Sequence, residues 1–133
     1  MLNFTLSELI HSDIAVLEKI NNMPDINSLD SMLNLIVYCL QPIRNKLNKP
    51  MIITSGYRCD ILNKHPKIKG AKNSQHTKGQ AVDFIVKGMS VQEIINFIIK
   101  SGIEYDQLIN EYNKWVHISF VKGKNRKQNF NLH

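Results

Sequence analysis

The side chains in this sequence best equipped for chemistry are His76 and Asp83, in "SQHTKGQAVDF", and His117, in "WVH". Imidazole nitrogens and carboxylate oxygens both ligate zinc, and two imidazoles with one carboxylate leave a fourth tetrahedral position open to water. That is the pattern of a catalytic zinc site rather than of a closed structural one. Zinc there would bring the pKa of a water towards neutrality and polarise a neighbouring carbonyl. Spacing alone leaves a plainer explanation standing, because His-x6-Asp is a loose pattern. A loop histidine, a strand aspartate capping a turn and a half-buried hairpin histidine would each be satisfied locally.

The elements that must position these residues follow from hydrophobic pattern. "QAVDFIV" and "WVHISF" read as strands, in which alternate side chains share a face. Ala81, Asp83 and Ile85 then oppose Val82, Phe84 and Val86, and Trp115, His117 and Ser119 oppose Val116, Ile118 and Phe120. The second set of each strand is apolar and should pack on helices, so Asp83 and His117 share the other face of one small sheet. His76 precedes the first of these strands, and Gly79 lets the chain fold back towards Asp83.

"DQLIN" should pair with "WVHISF" through a tight turn at Tyr112, Asn113 and Lys114. "MIITS" reads as a buried strand. Thr5 with Glu8, and Ser90 with Glu93, have the spacing of capping boxes, the second opening a helix that runs to about Lys100 and stops at Gly102. Leu29, Met32, Leu33, Ile36, Leu40, Ile43 and Leu47 form one apolar stripe of a helix from about Leu29 to Leu47, which Pro42 should kink or restart. From Gly56 to Lys78 the chain is polar and irregular except for a helical turn at "CDILNK", and loops of that length are usually functional. Helices first, then strands with one helix between them, make an α+β fold: a small antiparallel sheet with helices on one face. Residues 1–121 form one domain, and 122–133 a basic C-terminal tail expected to fray.

At 133 residues the chain can bury a core without metals or disulfides as scaffolding. No apolar run is long enough to span a bilayer, and "MLNFTLSELI" lacks the pattern of a secretory signal. The expectation is cytoplasmic synthesis, no membrane insertion and a monomer. Cys39 and Cys59 are too few for a disulfide framework and read as buried structural thiols. The net charge of +6 suits either nucleic acid or an anionic polymer such as a bacterial cell wall. The basic residues gather in "NKHPKIKGAKNSQHTK" and "VKGKNRKQNF", and neither is a helix with a basic stripe, which argues against nucleic acid.

Ser74, His76, Gly79, Ala81 and Asp83 match S-x-H-x-x-G-x-A-x-D, Trp115 and His117 match a late W-x-H, and "ITSGYRC" precedes both. This combination resembles the zinc D-Ala-D-Ala carboxypeptidase family, whose fold is shared with hedgehog signalling domains. "FTLSELIHSDIA" and "LQPIRNKLNKPMIITSGYR" resemble its compact phage and bacterial wall-peptidase branch, so the likeness spans nearly the whole chain to Phe120. The resemblance implies zinc held by His76, Asp83 and His117, with Arg58 gripping a substrate carboxylate or polarising its carbonyl. A guanidinium fork suits a carboxylate, with which it makes two parallel hydrogen bonds. Ser74 is implied to assist substrate or to orient its loop, and Trp115 either walls the cleft or fills core.

The chain departs from the resemblance at one position. Several branches carry Glu or Asp three residues before the last histidine, where this sequence has Lys114, which cannot act as a base while protonated. Glu111, across the hairpin turn, and Asp106, before the same strand, are the nearest carboxylates, and the compact branch favours Glu111. The implied activity is hydrolysis, by a phage-lysin-like or virion-borne enzyme, of a bond beside a D-amino acid in peptidoglycan stem peptides, as carboxypeptidase or endopeptidase. The alternative is a non-catalytic zinc-containing binding module, or a virion structural module, of the same fold.

Overall fold

In the computed structural model, which describes residues 2–133, five strands form a single sheet in the order β1-β2-β4-β3-β5. They are β1 (Ile52–Ser55), β2 (Ala81–Ile85), β3 (Gln107–Glu111), β4 (Trp115–Ser119) and β5 (Gln128–Leu132). Every pairing is antiparallel except β3 with β5, which is parallel. The α+β fold inferred from the sequence is the one observed.

The helices begin where side chains satisfy their free N–H groups. Thr5 and Glu8 close a capping box on α1 (Leu6–Ile10), Ser12 caps α2 (Asp13–Leu17) and Asp25 caps α3 (Ile26–Leu35). The apolar stripe continues from α3 through a π-helical turn, Ile36–Leu40, into α4 (Gln41–Leu47). Pro42 explains the wide turn, since proline offers no N–H and crowds the carbonyl four residues back. A π turn absorbs that crowding, and the helix restarts with Pro42 in its first turn. A short α5 (Asp60–Asn63) falls within "CDILNK", and α6 (Val91–Ser101) runs from the Ser90–Glu93 box to Gly102 in the left-handed conformation.

One face of the sheet, with Val82, Phe84, Leu108, Val116 and Ile118, packs on Leu35, Ile36, Leu40, Ile43 and the α6 isoleucines as the main core. Each of the five strand residues is wholly inaccessible to solvent. Burying side chains of this size stabilises by about 1.5–3 kcal/mol apiece before entropy is counted.

Four expectations are corrected. β1 is an edge strand with Ile52 45% exposed, not a buried one; Met51 before it is buried in the core and Ile53 packs against it half-buried. The long helix starts at Ile26 rather than Leu29, and α2 was not foreseen. Cys39 is buried, but Cys59 is half-buried. The tail beyond Lys122 does not fray: it crosses the end of the sheet and adds β5 beside β3.

Candidate metal centre

The polar face of the sheet is assembled by strand register. Asp83 lies directly opposite His117 in the β2–β4 ladder, and Ser55 lies opposite Asp83 on the other side. His117 Nδ1 stands 3.0 Å from Asp83 Oδ1. The third member, His76, sits on the short 3-10 turn Gln75–Lys78 that delivers the chain into β2, with its Nε2 3.4 Å from the same oxygen. Ligand atoms of all three residues lie within 4.8 Å of one another, and all three are buried.

The turn holding His76 is shaped by its neighbours in sequence. Ser74 Oγ accepts from the His76 N–H, and the Ser74 carbonyl accepts from the Thr77 hydroxyl and N–H. Gly79 ends the turn at φ +71°, where a Cβ would collide with the Ser28 carbonyl and Met32 of α3. Only glycine meets both demands. Gly56 is tight in the same way: a Cβ there would run into the Leu9 backbone. Its carbonyl accepts from His76 Nδ1 at 2.8 Å.

That last bond tests whether the group suits a metal. A carbonyl can only accept, so Nδ1 of His76 carries the proton and Nε2 turns its lone pair towards Asp83. In the neutral ring two acceptors then face each other at 3.4 Å with no hydrogen between them, an arrangement relieved by a proton on Nε2 or by a metal ion. A carbonyl behind the far nitrogen is the usual support of a metal-ligating histidine. Edges of 3.0 and 3.4 Å also suit ligands at roughly 2 Å from one tetrahedral ion, which are about 3.3 Å apart. The residues present fit zinc.

Charge is managed tightly around this point. In the metal-free group burial pushes the Asp83 carboxyl up, but the charge of a protonated His76, with hydrogen bonds from His117 and His76, outweighs it and holds the group well below the carboxylate range. Glu111, on the same face, has Oε1 3.4 Å from His117 Nδ1. Burial and the neighbouring Asp83 charge raise its pKa against the opposing pull of the two histidines. Burial lowers the Arg58 guanidinium's pKa, while Asp83 and Glu111 pull it back up, so Arg58 faces the two acids. Its Nε is buried without a hydrogen-bond partner, a donor left for something else.

A cleft of about 500 Å³ reaches this group at Asp83 and is lined also by Arg58, Trp115, Tyr57, Thr54, Ser55, His11–Ile14, Lys67 and Ile68, while His76, His117 and Glu111 lie outside its lining. Trp115 therefore walls the cleft, half-buried. Its Nε1 lies near the Glu111 carboxylate, which it helps to hold down, yet forms no hydrogen bond of good geometry. Ser74 is not among the lining residues and acts here on its own turn. Lys114 is exposed in the hairpin turn, where Tyr112 and Asn113 take φ of 60° and 56°. Asp106 stands elsewhere, buried at the opposite end of β3 and bonded to Arg126 and Gln75.

Three supports had no signal in the sequence. Asn22 is buried, with Nδ2 donating to the carbonyls of Ile10 and Tyr57 and Oδ1 accepting from the Cys59 N–H, and so clamps the segment on both sides of Arg58. The Arg58 N–H donates to the His76 carbonyl at 3.0 Å. The Gly56 carbonyl is the third. Backbone acceptors and lone asparagines carry no spacing by which they could be found.

The peptidase M15 family model matches residues 2–119. The chain belongs to the peptidase M15 family. Its members are the zinc D-Ala-D-Ala carboxypeptidase-type enzymes, so this M15 chain is a metallopeptidase. No curated protein matches it significantly. The family match spans every residue of the metal group, the Glu111 and Arg58 side chains and four of the five strands, and stops before β5. Among the described residues no helix is long and apolar enough to cross a membrane.

Proposed function

We propose that this M15 protein is a zinc peptidase that hydrolyses a bond beside a D-amino acid in peptidoglycan stem peptides, with His76, Asp83 and His117 as the metal ligands. The single observation that carries the reading is the convergence of those three buried side chains within 4.8 Å, with Asp83 lining a cleft and Glu111 at 3.4 Å from His117. Bound zinc would supply Lewis-acid activation of a water and of the scissile carbonyl. Arg58, which lines the cleft, holds the peptide through its carboxylate or carbonyl with the guanidinium. Glu111 accepts the proton of the attacking water and returns it to the departing amine nitrogen. In the metal-free protein burial and the Asp83 charge raise its pKa. Trp115 walls the cleft and limits water, and Ser74 acts by orienting the His76 turn. The enzyme works as a monomer on the bacterial wall, in the manner of a phage lysin or a virion-borne peptidase.

A non-catalytic zinc module of the same fold is the second reading, favoured by Lys114 standing where relatives carry an acid. Metal analysis of the purified protein, followed by mass spectrometry of digested wall fragments, separates the two. New peptide ends from wild type, abolished in Glu111→Ala with zinc retained, support the peptidase. Zinc without new ends supports the module, and no zinc at all removes both.

A further inference from the structure

Asp106 is the most heavily bonded carboxylate among the described residues. Its side chain is 1% exposed. Oδ1 accepts from the Arg126 N–H at 2.8 Å and from Arg126 Nε at 3.0 Å, and Oδ2 accepts from Arg126 Nη2 at 2.6 Å. Gln75 Nε2 donates to Oδ2 at 2.9 Å. Gln75 immediately precedes His76 and opens the turn on which it rides.

Arg126 belongs to the segment beyond the family match, and it leads into β5. The Gln128 N–H then donates to the Asp106 carbonyl at 2.9 Å. Farther along, Leu132 lies opposite Glu111, and the Leu132 carbonyl accepts from the Tyr112 N–H at 3.0 Å. All five residues of β5 are exposed, so the strand brings little apolar burial of its own. Its attachment is polar, concentrated at Asp106, and passes directly to Gln75.

We propose that Arg126, Asp106 and Gln75 form a relay by which the C-terminal segment tightens the turn carrying His76, making all three positioning residues for the metal centre. The inference rests on the reading of His76 as a ligand, but the connection itself is a property of the metal-free protein. Ion-paired, hydrogen-bonded carboxylates of this kind hold geometry because each oxygen is committed in more than one direction. Removing Arg126 frees Asp106 to rotate, and Gln75 loses its fixed acceptor. His76 then keeps Gly56, and its turn keeps the Ser74 and Arg58 bonds but loses the restraint through Gln75.

Hydrogen exchange on the metal-free protein tests this. In Arg126→Ala, the amides of Arg58 and Gln80, which bond to the carbonyls of His76 and Gln75, should exchange at least about tenfold faster, with α6 unchanged. Arg126→Lys, which restores a charge but not the fork, should recover part of the protection. Gln75→Ala cuts the relay beyond Asp106 and should loosen the turn while leaving the Tyr112 amide, bonded to β5, as protected as before. Zinc affinity, titrated with zinc alone, should fall about tenfold in both alanine variants, the low end for residues that support a ligand, and no further in the double variant. Unchanged exchange at Arg58 and Gln80 in Gln75→Ala, or loss spread equally into α6 in Arg126→Ala, would overturn the relay. Absence of zinc from wild type would instead sink the peptidase reading, leaving the exchange comparison intact.

Discussion

The two ends of β3 carry two acids with opposite fates. At its start Asp106 accepts five hydrogen bonds and is held down to about 2, chiefly by the Arg126 side chain. At its finish Glu111 has one oxygen 3.4 Å from His117 and a raised pKa. A carboxylate whose lone pairs are all committed is a joint; one left under-committed beside a metal group can take and release a proton. Burial alone does not distinguish them, since both are shielded. The difference lies in how many donors surround each.

Exchanging either acid for its amide tests that contrast. Glu111→Gln should lower kcat on wall peptides by about 10²–10⁴, the range lost with a general base, whereas Asp106→Asn assayed at saturating zinc should stay within about tenfold of wild type. A large loss in Asp106→Asn at full metal occupancy would erase the distinction.

Stability of the metal-free protein should reverse the order. Asp106→Asn sets an amide N–H₂ against donors and should cost about 1–3 kcal/mol in denaturant unfolding. Glu111→Gln should be neutral or stabilising, because a raised carboxylate pKa means that the folded state disfavours its charge. Gly79→Ala, at φ +71° and against the Ser28 carbonyl, should also cost about 1–3 kcal/mol through backbone strain.

The pH dependence sharpens the point at Asp106. Its folded pKa is depressed, so its contribution is complete above the unfolded value of about 3.9 and disappears as the pH falls towards about 2. Unfolding followed between those limits should be less pH-sensitive in Asp106→Asn than in wild type. The smallest effect is expected at Lys114, exposed in the turn: Lys114→Ala should leave stability within about 0.5 kcal/mol and peptide release unchanged.

The site was far more legible in the sequence than its supports were. Asp83 and His117 could be placed on one face because strand alternation is strict, His76 beside them because Gly79 lets the chain fold back, and the two capping boxes and the hairpin rest on local chemistry of a few residues. β1 was misjudged because an apolar run does not record which strand lies at an edge. β5 was missed because Gln128–Leu132 is polar and exposed, and its attachment depends on Arg126 meeting Asp106 twenty residues away in sequence. Asn22 and Gln75 act over similar separations. Glu111 was already favoured over Asp106 by the resemblance, and register sets it opposite Trp115, next to His117 on the same face.

Asp83 and His117 face each other across a central ladder, whereas His76 arrives on a single turn of 3-10 helix. Two donors are thus built into the most rigid part of the protein and the third is hinged. Uptake and escape of the ion should accordingly follow the opening of that one turn, with a rate set by its local fluctuations rather than by unfolding of the sheet.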